Sequence, residues 1–144
     1  MKISKLILIL LLSSFMSLHA QWSDSEIDQQ RTKVEEAYIR DIVVISTTVI
    51  ESTEDIPKHI LIRGYTMPSN YFLMRFPVDD WNEKLLVNGC GMGCGTLPAD
   101  ISGKLKKALQ RGYATATMNT GHWGSSIRDL TWAYNNSQAE MDYA

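Results

Sequence analysis

The sequence of 144 residues lacks several features that would assign a function class at once. No cluster of Lys and Arg is long enough for nucleic-acid binding, and the formal net charge at pH 7 is only −2. No internal repeat or low-complexity tract is visible. Cysteine is scarce, and its two copies, Cys90 and Cys94, lie four residues apart. Such a pair can form a disulfide only where the chain brings its Cα atoms within ~7 Å.

The N-terminus has the pattern of a secretory signal peptide. Two lysines precede an apolar run over residues 6–12, and Ala20 ends a small-residue cleavage site. The run is short for a membrane span, which takes ~20 residues, so an uncleaved anchor is the less favoured alternative. We therefore expect residues 1–20 to be removed. Residues 21–144 would then form one modest domain of a secreted or periplasmic protein, with no membrane attachment.

The first half of the remaining chain predicts a surface helix followed by antiparallel strands. Residues 23–40 are polar and charged, begin with candidate serine caps, and predict the helix. Runs of β-branched and aromatic residues predict three strands, at 42–50, 60–62 and 71–76. A bend is expected near Ser46, and Gly64 and Pro68 are expected in the loop between the last two strands.

The second half predicts a βαβ unit with two parallel strands. A short strand at 84–88 leads into a glycine-rich loop, an amphipathic helix that ends at Gly112, and a strand at 113–118. A connection of this kind makes the two strands parallel neighbours with a right-handed crossover. Ligands of such sheets bind beyond the carboxyl ends of the strands. The glycine loop and the segment from Asn119 to His122 both leave the sheet there.

The glycine loop reads Gly-Cys-Gly-Met-Gly-Cys-Gly over residues 89–95. It does not fit G-x-G-x-x-G, because the sixth position counted from Gly89 is Cys94, and no Gly-Lys-Ser/Thr follows as in a P-loop. The two cysteines are spaced C-x-x-x-C rather than C-x-x-C. A zinc site would need Cys90 and Cys94 together with His59 and His122, without the usual ligand spacing.

Two interpretations of this loop remain. Its glycines can simply allow close packing between a strand and a helix. Alternatively, a bare main-chain N–H can point at the developing negative charge of a tetrahedral intermediate, as the corresponding loop of α/β-hydrolases does.

Three segments of the second half of the chain resemble motifs that occur together, in the same order, in one protein family. Trp-Asn at 81–82 followed by the glycine loop resembles "WNGRFL-x-x-GGGG", Ala-Leu-Gln-Arg-Gly-Tyr-Ala at 108–114 resembles "AL-x-RGYA", and Thr-Met-Asn-Thr-Gly-His at 117–122 resembles "S-T-D-T-G-H". In this order they resemble the tannase/feruloyl esterase family of secreted α/β-hydrolases, over residues 42–144. Asn119 stands where the family commonly has Asp, and Glu83 where it usually has Gly.

The resemblance implies an incomplete α/β-hydrolase fold, consisting of N-terminal strands plus the first parallel βαβ unit. It implies oxyanion-hole donors among the backbone N–H groups of Gly89, Cys90 and Gly91, with Asn119 and His122 lining the site. The substrates implied are small aromatic acid esters, such as gallates or hydroxycinnamates. In the family the nucleophile lies in a later C-S-x-G-G segment, followed by a catalytic Asp and His, and an inserted lid domain binds calcium.

None of those later elements can be located in this sequence. No catalytic residue, metal or cofactor is therefore assigned to the chain itself, and it is expected to be an N-terminal fragment of a serine esterase. The strands at 84–88 and 113–118 would then both have exposed edges. The rival interpretation is a non-catalytic secreted binding domain or a decayed gene product.

Overall fold

The computed structural model describes residues 22–89, 94–97, 101–124, 126 and 128–142. The predicted signal peptide, together with Cys90 and Gly91, lies outside the described residues. Among the helices that are described, none is both long and apolar enough to cross a membrane.

Helix α1 spans Asp24–Glu36 and begins with a capping box. The Ser23 hydroxyl accepts a hydrogen bond from the Glu26 backbone N–H at 3.4 Å, and the Glu26 carboxylate accepts one from the Ser23 N–H at 2.8 Å. The helix ends four residues before the predicted Arg40. The chain turns at Asp41, whose φ is +63°, to enter the first strand, and this local turn overrides the helical pattern.

Five strands in the described part of the chain form one mixed sheet. They are β1 (Ile42–Ile50), β2 (His59–Thr66), β3 (Asn70–Pro77), β4 (Leu85–Asn88) and β5 (Ala114–Met118), in the spatial order β1-β2-β3-β5-β4. The first three strands and β5 pair antiparallel, while β4 and β5 pair parallel. Both the predicted antiparallel half and the predicted parallel pair are confirmed.

The expected bend in β1 is confirmed, but the expected place of Gly64 is wrong. The β1–β2 register shifts between Val44 and Ser46. Gly64 lies inside β2 rather than in a loop, because the Phe72 ring crosses over it. A Cβ at Gly64 would lie 2.5 Å from the Phe72 ring and 2.6 Å from the Val43 carbonyl oxygen.

Helices cover opposite faces of the sheet. Helix α1 brings Ile27 onto the face that carries Ile60 and Ile62. Helix α2, at Gly103–Leu109, links β4 to β5. Its Leu105 and Leu109 pack with Leu86, which lies on the face of the sheet opposite to Ile60 and Ile62. Burial of each such Leu or Ile side chain stabilises the fold by about 1.5–3 kcal/mol.

The ends of the βαβ unit differ in detail from the sequence expectations. The C-cap of α2 is Gln110, and Gly112 follows two residues later with φ of +77°. The expectation of two exposed strand edges is wrong for β5, which is hydrogen-bonded on both sides. The edges of the described sheet are β1 and β4, and Leu85 and Val87 of β4 are 52% and 50% exposed. A short 3-10 helix, Thr131–Ala133, and helix α3, Ser137–Asp142, follow β5.

Candidate functional site

The carboxyl ends of β4 and β5 lie side by side. Asn88 is in register with Thr117, so Gly89 and Asn119 leave the sheet at one edge. The parallel register therefore brings the start of the glycine loop and the segment after β5 to the same edge of the sheet, as the sequence predicts. Gly89 is exposed, and a Cβ at Gly89 would meet no atom of the described residues within 4 Å. No contact with the described residues therefore requires glycine at this position.

Asn119 joins the turn after β5 to strand β3. It is completely buried, and its Oδ1 accepts hydrogen bonds from the backbone N–H of Tyr71 at 2.8 Å and of Gly121 at 3.2 Å. Its own N–H donates to the Tyr71 carbonyl at 2.9 Å. The Asn119 side chain thus fixes the first residues of the turn, while its Nδ2 has no hydrogen-bond partner among the described residues.

The next residue connects this turn to the far end of the glycine loop. Thr120 is 1% exposed and adopts a positive φ of +57°. Its hydroxyl lies 2.7 Å from the Cys94 carbonyl oxygen and 2.6 Å from the Asn119 carbonyl oxygen, so its single proton is donated to these two acceptors. Cys94 is itself disulfide-bonded. The other cysteine of the chain, Cys90, lies outside the described residues.

Gly95 has the steric reason for glycine that Gly89 lacks. The Gly124 N–H donates to the Gly95 carbonyl at 3.0 Å, which forms an isolated antiparallel bridge. A Cβ at Gly95 would lie 2.5 Å from the Gly124 nitrogen and 2.7 Å from the His122 ring. The packing interpretation therefore holds at Gly95, whereas at Gly89 no atom of the described part of the chain calls for it.

His122 is buried within the same turn. Its ring stacks on Trp132 at 4.1 Å between centroids and 13° between planes, and Nδ1 lies 3.4 Å from the Thr120 carbonyl oxygen. The pKa of Asp129 is lowered, first by hydrogen bonds from Thr131 and to a smaller extent by the charge of His122. Sequence reasoning found no carboxylate near His122. The charge of Asp129 is coupled to that of His122, and no sequence pattern relates these two residues.

The hypothetical zinc ligands are not brought together. His59 begins β2 and pairs with Pro77, at the end of the sheet opposite Asn119 and His122. Its Nδ1 lies 2.8 Å from the Pro57 carbonyl oxygen, and burial lowers the pKa of the ring. In the described part of the chain, no group of three or more His, Cys, Asp or Glu side chains could hold a metal ion.

Comparisons with known proteins show a shared fold and a family. Two solved structures share the fold. An esterase from Aspergillus oryzae matches with a TM-score of 0.62 and 16% identity, over 78% of this chain and 25% of that chain. Feruloyl esterase B from Aspergillus oryzae matches with a TM-score of 0.57 and 20% identity, over 78% of this chain and 24% of that chain. The chain thus spans about a quarter of the length of these esterases. No curated protein matches it. Residues 58–144 match the family described as "Tannase and feruloyl esterase". Since this match covers more than half of the sequence, the chain belongs to that family.

Proposed function

We propose that this chain is the N-terminal part of a secreted carboxylic ester hydrolase that acts on aromatic acid esters. The observation that carries the proposal is the position of Gly89, exposed at the carboxyl edge of β4 beside the buried turn from Asn119 to His122. This arrangement, in a chain of the tannase and feruloyl esterase family, fits the first part of an α/β-hydrolase sheet.

The proposed reaction is acyl transfer to a serine that would lie beyond residue 144. The serine oxygen bonds to the ester carbonyl carbon while its proton passes to a histidine oriented by a carboxylate. The π electrons of the carbonyl group move onto its oxygen. When they return, the bond to the alcohol oxygen breaks, and the departing alcohol takes the proton from the histidine. Water then repeats the sequence at the acyl-enzyme and releases the aromatic acid.

The contribution of this chain would be the oxyanion hole. One or more backbone N–H groups of Gly89, Cys90 and Gly91 would donate to the oxyanion, and loss of one such donor typically costs ~3 kcal/mol of transition-state stabilisation. Asn119 and Thr120 would hold the neighbouring turn in place through their contacts with Tyr71 and Cys94. A Cys90–Cys94 disulfide would close the loop between them.

Three further parts of the proposal concern export, calcium and the role of His122. The N-terminal pattern supports export to the periplasm or the exterior. The calcium ion that the family resemblance implies belongs to a lid domain outside this sequence, and the described residues do not fit it. His122 would line the site rather than act as the catalytic base, because its ring is buried against Trp132.

The test begins with the gene. The reading frame should continue past the codon for Ala144 into a C-S-x-G-G segment and a later His. Protein expressed from that whole frame should hydrolyse methyl gallate or methyl ferulate faster than methyl acetate, while the 144-residue chain should hydrolyse none of them. A stop codon after Ala144, or an extended protein inactive on aromatic esters, would overturn the proposal in favour of a non-catalytic domain or a decayed gene product.

A further inference from the structure

A row of aromatic rings leads along the sheet to the edge with the glycine loop. Tyr65 of β2 and Tyr71 of β3 are in register, with ring centroids 5.3 Å apart. Tyr71 in turn contacts Trp123, also at 5.3 Å between centroids. Trp123 is 60% exposed and belongs to the turn that starts at Asn119. The row therefore ends beside Gly124, which pairs with Gly95 of the glycine loop.

A groove of about 280 Å³ lies along this row. The side chains that line it include Ile45, Arg63, Tyr71, Leu73, Leu97 and Trp123. A second, more open depression shares Leu97 and Trp123 and reaches Gly95 and Gly124. Pockets for drug-sized ligands have volumes of about 300–1,000 Å³, so this groove suits a smaller molecule with a single ring.

Arg63 is the charged side chain of the groove. It is exposed, and it forms no ion pair or hydrogen bond with any residue that the structure describes. Its cross-strand neighbours are Ser46 and Leu73, so neither partner can neutralise it. Strand alternation places Arg63 on the same sheet face as Tyr65 and Tyr71. The groove thus offers aromatic surface next to an unpaired guanidinium, which binds carboxylates through two parallel hydrogen bonds.

We propose that this groove binds a single-ring aromatic carboxylate. The ring would stack against Tyr71 and Trp123, and the carboxylate would pair with Arg63. The proposal rests on the proposed function only in that such an acid is the product of aromatic ester hydrolysis. Binding itself needs no catalytic serine, so the 144-residue chain can be tested directly.

Isothermal titration calorimetry of the chain with 4-hydroxybenzoate tests the proposal. Two matched ligands separate its two parts: 4-hydroxybenzamide keeps the ring without the charge, and cyclohexanecarboxylate keeps the charge without the aromatic ring. We expect 4-hydroxybenzoate to bind at least about tenfold more tightly than either, as one charge-assisted hydrogen bond or one aromatic contact allows. The indole N–H signal of Trp123 should shift during the same titration.

Variants assign the contacts. Arg63→Gln should abolish the preference for the carboxylate over the amide, and Arg63→Lys should restore part of it. Trp123→Leu should abolish the preference for the aromatic ring. Arg40→Gln is the control, because the Arg40 side chain is 88% exposed and pairs with Asp41 outside the groove. Circular dichroism would verify that each variant keeps the fold.

The outcomes separate this proposal from the proposed function. Absence of binding to the folded chain, equal binding of the three ligands, or unchanged selectivity in Arg63→Gln would each overturn the groove assignment. An extended protein that fails to hydrolyse aromatic esters would overturn the proposed function and leave the binding result standing.

Discussion

Asn119 and Tyr71 exchange two hydrogen bonds across the end of the sheet. The Asn119 N–H donates to the Tyr71 carbonyl at 2.9 Å, and the Tyr71 N–H donates to the Asn119 side-chain oxygen at 2.8 Å. The side chain thus replaces a backbone carbonyl and extends the β3–β5 pairing by one step. The same oxygen also accepts from Gly121, so it sets the direction in which the chain turns toward His122.

Removal of this side chain should destabilise the protein. Asn119→Ala leaves the N–H groups of Tyr71 and Gly121 without their acceptor, and an unsatisfied buried donor costs about 1–3 kcal/mol. Urea unfolding should show a loss of that size in the free energy of unfolding. Gln29→Ala, an amide removed from the exposed surface of α1, is the control and should change little. Equal stability of the two variants would contradict the role given to Asn119.

The two ends of the glycine loop should respond differently to a methyl group. At Gly95 the new Cβ would lie 2.5 Å from the Gly124 nitrogen, so Gly95→Ala should destabilise the fold by about 1–3 kcal/mol. Gly89→Ala meets open space and should stay within about 0.5 kcal/mol of the parent. Thermal unfolding of both variants checks the pair. A neutral Gly95→Ala would show that the contact with His122 and Gly124 is not formed.

The capping box of α1 should contribute a stability that depends on pH. Hydrogen bonds from the side chain and backbone of Ser23 lower the pKa of Glu26 from its ordinary value of 4.5. A lowered carboxyl pKa means that the contribution is present above pH 4.5 and is lost as the pH falls through the folded-state pKa. Glu26→Gln should therefore flatten the acid limb of the stability curve. Ser23→Ala should cost about 1 kcal/mol at neutral pH, because it removes the cap.

His59 should add a second pH dependence at a higher pH. Burial is the main cause that lowers the pKa of His59 below its ordinary value of 6.5, and the charge of Arg75 adds to it. Protonation is thus easier in the unfolded chain, so stability is full above pH 6.5 and falls as the pH drops through the folded-state pKa. Titration of the His59 ring signals by NMR should give a midpoint below 6.5. A midpoint at or above that value would show that the ring is solvated.

Local patterns predicted most of the elements, and the errors have local physical causes. The β-branched run at Ile42–Ile50 and the apolar stripe of α2 are confirmed because each needs only a matching partner face. The loop expected at Gly64 is wrong because glycine usually interrupts a strand, whereas here the Phe72 ring occupies the space that a side chain at residue 64 would take. The strand order, which protects both edges of β5, depends on long-range pairing that no local pattern contains.

The candidate site was predictable only in part. The βαβ pattern was sufficient to predict that Gly89 and Asn119 share an edge. Strand alternation could also have placed Arg63 and Tyr71 on one face. The contact of Tyr71 with Trp123 depends on the turn after β5, whose first residues are held by hydrogen bonds of Asn119 and Thr120 rather than by residue periodicity. The electrostatic coupling of Asp129 with His122 likewise joins two residues that no local pattern relates.

The most direct measurement is the kcat of the protein expressed from the whole reading frame, after the backbone N–H groups of residues 89, 90 and 91 are removed one at a time. Proline at residue 89, 90 or 91 deletes the backbone donor, whereas alanine at the same residue keeps it. We predict that at least one proline variant loses about 10²–10³ in kcat, as expected for an oxyanion donor, with KM little changed and its alanine counterpart active. If all three folded proline variants keep the parental kcat, the glycine loop does not hold the oxyanion.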